Sequence, residues 1–216
     1  MSRSLKLSIG LVAVAALVLT AVVVLLPRVK DPSAQAEATD STSAQLVRED
    51  SPRLSEGSSD VVFVEYLDFE CEACLSMYPT IEEIRAEYGD RVTFAVRYLP
   101  LHGNSLEAAR AAEAAKDQGE FEAMYAALFE NAATWGHQQT SQREQFFSYA
   151  EEIGLDMERF GKVYDDPATA KRIEQSAADA EALGVTGTPT FFVDGKRLEP
   201  TRVEDLTDPL DAALDG

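Results

Sequence analysis

The sequence predicts an α/β domain with a βαβ…ββα order of elements, interrupted by an inserted helical cap and preceded by a single transmembrane helix. Three observations carry this prediction. An uncharged apolar run covers residues 7–26, two strand-like runs flank a helical pattern between residues 61 and 99, and residues from about 103 to 184 are helical in pattern before strand composition returns. A strand, a helix and a second strand in succession form a βαβ unit with a right-handed crossover.

The N-terminal apolar run, Leu7–Leu26, has 20 residues and no charge. As a helix it would be about 30 Å long, the hydrocarbon thickness of a bilayer. We therefore interpret residues 5–26 as an uncleaved anchor, residues 1–4 as a cytoplasmic stub, and the domain that follows as extracytoplasmic. A cleaved signal peptide is the alternative, although such peptides need a shorter run and the nearest small-residue pattern, at Ala34 and Ala36, lies well beyond it.

Residues 27–57 are rich in Ser, Ala, Thr, Asp and Glu and contain no aromatic residue. Such a segment buries too little apolar surface to offset the entropy of ordering, so we predict a flexible linker. Residues 58–216 are then one domain, long enough for a single core.

The charge of the exported part excludes some partners. After residue 30 the chain has 15 basic and 38 acidic residues, a formal charge of −23. Nucleic acid is excluded because contacts with phosphates need cations, and an anionic membrane surface is disfavoured for the same reason. The charge indicates a well-solvated surface that keeps the domain soluble.

The first half of the domain has the pattern of a buried βαβ unit. Val61–Leu67 is a nearly continuous apolar run, as expected of a strand covered on both faces. A helix with Ile81, Ile84 and Tyr88 on one face follows, and Arg91–Leu99 predicts the second strand.

The inserted cap and the last elements have recognisable start signals. Asn104 with Glu107, and Ser141 with Glu144, have the spacing of capping boxes, and Asp166–Pro167 marks another helix start. The aromatic residues of the cap are interpreted as its core rather than as a substrate-binding patch: Trp135, Phe146, Phe147 and Tyr149.

A β-hairpin and a helix are predicted after the cap. Thr190–Val193 and Lys196–Leu198 have strand composition, and the hairpin signal Asp194–Gly195 separates them. Thr201 with Glu204 marks the start of the last helix.

The chemistry of the chain depends on its only two cysteines, Cys71 and Cys74, in the order Cys–Glu–Ala–Cys. They lie where the first strand gives way to the first helix. Unpaired N–H groups and the helix dipole favour a thiolate at the helix N-terminus, and the second thiol lies one turn further on the same face. The pattern predicts that Cys71 is the nucleophile and Cys74 the shielded resolving thiol.

Other uses of the two cysteines remain open. A structural zinc site would need His102 and His137 as its other ligands, and these are far apart in sequence. Haem attachment needs a His at position 75, which is Leu. A purely structural disulfide is possible in an exported protein, but so short a loop would constrain the unfolded chain little.

Three motifs in this order make the chain resemble the DsbA family of periplasmic disulfide oxidoreductases. Residues 67–74 (LDFECEAC) resemble that family's active-site entry, and residues 102–104 (HGN) with the Ala-rich segment after them resemble the start of its helical insertion. Residues 185–191 (VTGTPTF) are similar to its cis-proline loop. The resemblance covers essentially all of residues 58–216 and implies a thioredoxin fold without a metal or an organic cofactor, with the Cys71–Cys74 disulfide as the redox group.

The resemblance also implies roles for residues around the cysteines. Pro189 should be cis and face the cysteine pair, with an ordinary trans bond as the alternative, and the Thr188 backbone should bind an extended substrate peptide. Glu72 and Ala73, between the cysteines, should also contact substrate. Glu65 should be a buried acid that exchanges protons with Cys74, although a Glu at an exposed strand edge is the alternative.

The dipeptide between the cysteines departs from the pattern of strongly oxidising family members, which usually have a His or an aromatic residue second. Glu72 adds a negative charge beside Cys71, and Asp68 and Glu70 act in the same direction, so we expect a mild oxidant. His102 is interpreted as a residue that caps a helix, with a position near the active site as the alternative. Met77 and Tyr78 are interpreted as residues that either line a peptide groove or pack in the core.

The sequence as a whole predicts a membrane-tethered enzyme that exchanges disulfides with cysteine-containing exported proteins. A quinone-linked membrane partner of the DsbB or vitamin K epoxide reductase-like (VKOR-like) kind would reoxidise it. A disulfide reductase or isomerase of the same fold is the first alternative. A non-catalytic peptide-binding holdase is the second, and the intact pair of thiols speaks against it.

Overall fold

The computed structural model describes residues 46–216, so the predicted stub, the predicted anchor and most of the predicted linker lie outside the described residues. The strands are β1 (Arg53–Ser55), β2 (Val62–Leu67), β3 (Thr93–Tyr98), β4 (Thr190–Val193) and β5 (Lys196–Leu198). The helices are α1 (Glu72–Tyr88), α2 (Ser105–Lys116), α3 (Phe121–Glu130), α4 (Ala132–Trp135), α5 (Arg143–Ile153), α6 (Met157–Asp165), α7 (Pro167–Ala182) and α8 (Glu204–Leu214). None of the helices described here is long and apolar enough to cross a membrane.

The five strands form one mixed sheet with the order β1-β3-β2-β4-β5. β2 lies at its centre, parallel to β3 and antiparallel to β4, which confirms the predicted βαβ unit and hairpin. Side chains of β2 alternate between the two faces. Phe63 and Leu67 belong to the larger core, which also contains Cys74, whereas Val64 and Tyr66 belong to a smaller core on the other face.

The predicted linker is wrong for residues 46–57, which belong to the folded domain. Within this segment β1 pairs with β3 at the edge of the sheet, where Ser55 lies opposite Phe94. Leu46 is 3% exposed and Leu54 is 8% exposed. The polar composition of residues 46–57 did not predict this strand. Leu46 and Leu54 anchor the segment in the two cores, and β3, to which β1 is hydrogen-bonded, lies nearly 40 residues further along the chain.

The inserted cap is confirmed as six helices, α2 to α7, between β3 and β4. Trp135 and Phe146 are fully buried against each other, with ring centroids 5.0 Å apart, which confirms their place in the core of the cap. Asp166 accepts a hydrogen bond from the Ala168 N–H at the start of α7, as the sequence predicted.

Both predicted capping boxes of the cap are wrong. Asn104 is the N-cap of α2, but its amide donates to the carbonyl of Gln138 and makes no bond to its own helix. Ser141 instead donates to the Glu107 carboxylate, at 2.8 Å, and the N-cap of α5 is Gln142. Ser141 also accepts from the backbone N–H of Arg143 at 3.3 Å, but its predicted partner Glu144 makes no bond back to it.

Candidate active site

The two cysteines lie at the N-terminus of α1, directly after the central strand. Cys71 is the N-cap residue, with extended backbone angles, and is 9% exposed, whereas Cys74 is 1% exposed. Burial raises the pKa of the Cys74 thiol, and the nearby Glu65 carboxyl raises it further. The arrangement therefore leaves Cys71 as the thiol that a partner can reach and Cys74 as the shielded one.

The loop before β4 lies against Cys71. Its Thr188–Pro189 peptide bond is cis, as predicted, and Pro189 directly precedes a strand that pairs with β2. The Cys71 thiol is 3.4 Å from the Thr188 carbonyl oxygen, to which it donates.

Glu65 is buried in the middle of β2, where it lies opposite Val96 on one side and Phe191 on the other. Its side chain is 4% exposed, so the predicted burial is confirmed and the exposed strand edge is wrong. Burial raises the pKa of this carboxyl to about 8, with a smaller contribution from Glu82. A group that holds its proton near neutrality can both give a proton to a thiolate and take one from a thiol.

Two more carboxylates hold the loop that leads to Cys71. Asp68, 2% exposed, accepts hydrogen bonds from the backbone N–H groups of Glu70 and Leu101. Glu70, 5% exposed, accepts from the N–H of Asn104 at 2.7 Å and from the N–H of His137 at 2.6 Å. Through these bonds both carboxylates fix the cysteine loop to the helical cap. Their negative charge alone did not predict this role.

Both histidines of the chain lie at this site. His102 Nδ1 is 2.7 Å from Asp68 Oδ2, and this hydrogen bond is the main reason that the pKa of His102 is raised. His102 therefore adjoins the site, and its interpretation as a helix cap is wrong. The His137 imidazole is 3.2 Å from the carboxylate of Glu72, and its ring centroid is 5.9 Å from that of His102.

Apart from the alternative zinc site, the sequence predicted no role for His137, because 63 residues separate it from Cys74 and no local motif connects the two. The fold brings His102 and His137 together, so their separation in the sequence is no longer an argument against a zinc site. Even so, within residues 46–216 no group of three or more His, Cys, Asp or Glu side chains is placed to hold a metal ion.

An apolar groove of about 470 Å³ lies beside the cis-proline. Its apolar lining includes Met77, Pro189, Leu198, Pro200 and Val203. Three large apolar side chains are exposed in the described part of the chain: Leu75, Leu101 and Val203. Leu75 directly follows Cys74, the backbone N–H of Leu101 donates to Asp68, and Val203 lines the groove next to Pro189.

A larger cavity of about 780 Å³ lies between residues 48–52, the end of β3 and α7, away from the cysteines. Its buried polar groups bind one another: the Tyr98 hydroxyl donates to Glu113, which also pairs with Arg172. These pairs stabilise the contact of the cap with the sheet.

Comparison with known proteins agrees with this architecture. The family profile described as thioredoxin matches residues 49–212. A thioredoxin-like oxidoreductase from Silicibacter pomeroyi is 30% identical, with a TM-score of 0.67 over 80% of this chain and 98% of that protein. The thiol-disulfide exchange protein α-DsbA2 from Wolbachia pipientis, at 24% identity, shares the fold with a TM-score of 0.69 over 83% and 98% of the two chains.

The curated relatives are longer proteins. A Na⁺/H⁺ antiporter NhaA from Herminiimonas arsenicoxydans is 41% identical over 140 residues, which are 65% of this chain and 22% of that protein. The NhaA 1 protein of Mycobacterium sp. (strain KMS) is 39% identical over 142 residues. The chain therefore spans about a fifth of the length of these relatives.

Proposed function

The chain belongs to the thioredoxin family, as a thiol–disulfide oxidoreductase with the DsbA-like fold, and we propose that it forms disulfides in exported proteins through Cys71 and Cys74. One observation carries this proposal: the more exposed thiol, Cys71, lies 3.4 Å from the Thr188 carbonyl that precedes the cis-proline, while Cys74 is buried behind it. A substrate chain that binds along the loop before β4 would have its own sulfur next to Cys71.

The proposed reaction begins with the Cys71–Cys74 disulfide. A substrate thiolate attacks the Cys71 sulfur, the S–S bond breaks, and Cys74 leaves with the electron pair and takes up a proton. Glu65 has the burial and the raised pKa, about 8, to supply that proton. A second substrate thiolate then attacks its partner sulfur in the mixed disulfide and releases Cys71, so that the substrate is oxidised and the enzyme is left as a dithiol.

The enzyme must then pass two electrons on. A quinone-linked membrane protein of the DsbB or VKOR-like kind would accept them and restore the disulfide. The uncharged run Leu7–Leu26 would hold the domain at the membrane where such a partner lies, on the extracytoplasmic side.

The substrates are proposed to be extended, cysteine-containing segments with apolar neighbours. Unfolded exported proteins present such segments before their cysteines pair. The exposed Leu75 and Leu101 and the groove next to Pro189 would receive apolar side chains, and the Thr188 backbone would pair with the substrate backbone. Glu72 and Ala73 would contact the residues next to the substrate cysteine.

A second candidate is a reductase or isomerase of the same fold, in which electrons run in the opposite direction. The charge around the nucleophile favours it: Glu72 is directly beside Cys71, and Asp68 and Glu70 lie in the same loop. Negative charge disfavours a thiolate and so makes the disulfide form of the enzyme more stable.

A trapping experiment tests the proposed function. In the full chain of Cys74→Ala, the Cys71 thiolate should attack disulfides of exported proteins, expel one substrate thiolate and accumulate as a mixed disulfide, because no Cys74 is present to attack the Cys71 sulfur and release the bound chain; Cys71→Ala should accumulate none. The trapped bonds should map to Cys71 by mass spectrometry. Mixed disulfides at Cys74 in the Cys71→Ala protein, or none in either variant, would contradict the assignment of Cys71 as the nucleophile.

A further inference from the structure

We infer that His137, supplied by the helical cap, is a positioning residue that neutralises Glu72 and thereby tunes the reduction potential of the Cys71–Cys74 pair. The inference rests on the proposed function and adds a residue that the motif around the cysteines does not contain. A cation in the Cys–x–x–Cys dipeptide is one way to stabilise the nucleophilic thiolate. Here the dipeptide is Glu72–Ala73, and the cation comes from the loop after α4.

The first support is the position of the imidazole. His137 Nε2 is 3.2 Å from Glu72 Oε1, and Glu72 is the residue next to Cys71. The His137 and Glu72 side chains are 52% and 75% exposed, so the pair is hydrated. Its net effect on the Cys71 thiolate depends on whether the imidazole is protonated. When the imidazole is charged, it pairs with the Glu72 carboxylate beside Cys71. When the imidazole is neutral, the negative charge of Glu72 acts on the Cys71 sulfur without that compensation.

The second support is that the backbone of His137 is fixed. Its N–H donates to the buried carboxylate of Glu70, which lies in the cysteine loop itself. His137 also has a positive φ of 57°, uncommon for a residue other than glycine. At Gly136, an added Cβ would lie 2.8 Å from the Ala132 carbonyl, so the residue before His137 has no room for a side chain. The backbone from which the ring reaches Glu72 is thus fixed.

The His137 ring contacts Glu72, from α1, and the ring of His102, from the loop before α2. Glu70, from the loop before α1, accepts from the backbone N–H of His137. His102 is bound to Asp68 at 2.7 Å and also lies in the field of Glu72, which contributes to raising its pKa, but His137 is the histidine in direct contact with the Glu72 carboxylate. Histidine is the side chain that can change its charge between pH 5 and 8, so the pairing is tested on both sides of that range.

The expected effects have defined signs. A cation near Cys71 stabilises the thiolate, hence the reduced enzyme, and makes the enzyme more oxidising. The charge of His137 should change the free energy of the exchange with glutathione by on the order of 1 kcal/mol, which is about a fivefold change in its equilibrium constant. At 29.6 mV per tenfold change, fivefold is about 20 mV.

The test uses the full chain in mild detergent, equilibrated with glutathione buffers at pH 6 and pH 8.5. At pH 6, His137→Gln should make the enzyme about fivefold less oxidising and Glu72→Gln should make it more oxidising, while the double variant should return to within about twofold of the wild type. At pH 8.5, His137→Gln should match the wild type, because an imidazole and an amide are then both uncharged. His137→Lys should keep the wild-type constant at pH 6 and exceed it at pH 8.5.

A matched control is Arg143→Gln, which removes a comparably exposed cation from an ion pair with Asp165 in the cap and should change nothing at either pH. A merely structural role of His137 would shift the constant equally at both pH values and would not be restored in the double variant; that result overturns the inference. So does a His137→Gln variant that equals the wild type at pH 6. If the wild-type cysteines form no disulfide at any glutathione ratio, it is the proposed function that fails.

Discussion

Glu65 is the group whose replacement should change the pH dependence of stability most clearly. Its side chain is 4% exposed on the central strand, and burial raises its pKa from 4.5 to about 8. In the unfolded chain the pKa returns to the ordinary value. Between the two values the unfolded state has lost a proton that the folded state keeps, so the free energy of unfolding falls as the pH rises from about 4.5 to about 8.

The size of this effect follows from the two values. Each pKa unit corresponds to about 1.36 kcal/mol, and about 2.5 units separate the unfolded-state pKa from pH 7. The ionisation therefore lowers the free energy of unfolding by about 3 kcal/mol at pH 7. Glu65→Gln keeps the shape of the side chain and cannot ionise, so the variant should gain about 3 kcal/mol over the wild type between pH 4.5 and pH 7.

The assay is urea denaturation of the reduced full chain in mild detergent, with a phosphine reductant that keeps both cysteines free at every pH. Glu199→Gln is the control, because Glu199 is 80% exposed and its replacement should leave the pH dependence unchanged. If the free energies of unfolding of Glu65→Gln and of the wild type changed in parallel from pH 4.5 to pH 8, the raised pKa of Glu65 would be contradicted. Such parallel changes would mean that Glu65 is ionised in the folded protein and cannot hold the proton that Cys74 needs.

Two further predictions concern the cap and the N-terminus. Glu70→Ala leaves the buried Asn104 N–H without its acceptor and should lower the free energy of unfolding by about 2 kcal/mol; in urea denaturation, a change below about 0.5 kcal/mol would speak against this clamp. If Leu7–Leu26 is an uncleaved anchor, the mature chain should retain these residues and remain with membranes after a high-salt wash. Recovery of a soluble form that starts near Glu37 would establish a cleaved signal peptide instead.

Sequence reasoning succeeded where the determining forces are local. The apolar runs of β2 and β3 are buried whatever surrounds them, and Asp194–Gly195 meets the positive φ values that its turn requires, 45° and 80°. The burial of Glu65 was predictable because the carboxyl lies inside a continuous apolar strand. The cis peptide before Pro189 was predicted from a motif, since no local force favours it over the trans form.

The features that sequence reasoning missed depend on contacts between distant segments. β1 has only three residues and a polar composition, so its order derives from pairing with β3. The N-terminus of α2 was expected to be capped by Asn104, yet the Glu70 carboxylate, 34 residues earlier, takes the N–H that needed a partner. Glu72 looked like an isolated negative charge until the fold placed His137 beside it.

The central claim is that Cys71 and Cys74 form a reversible redox pair with Cys71 as its reactive member. The most direct test is to equilibrate the wild-type full chain over a range of glutathione ratios, quench with acid, and determine the state of each sulfur by mass spectrometry. We predict a single two-electron transition between the dithiol and an intramolecular Cys71–Cys74 disulfide, with any glutathione adduct confined to Cys71. A glutathione adduct on Cys74, or a stable adduct on Cys71 that never closes to the disulfide, would contradict it.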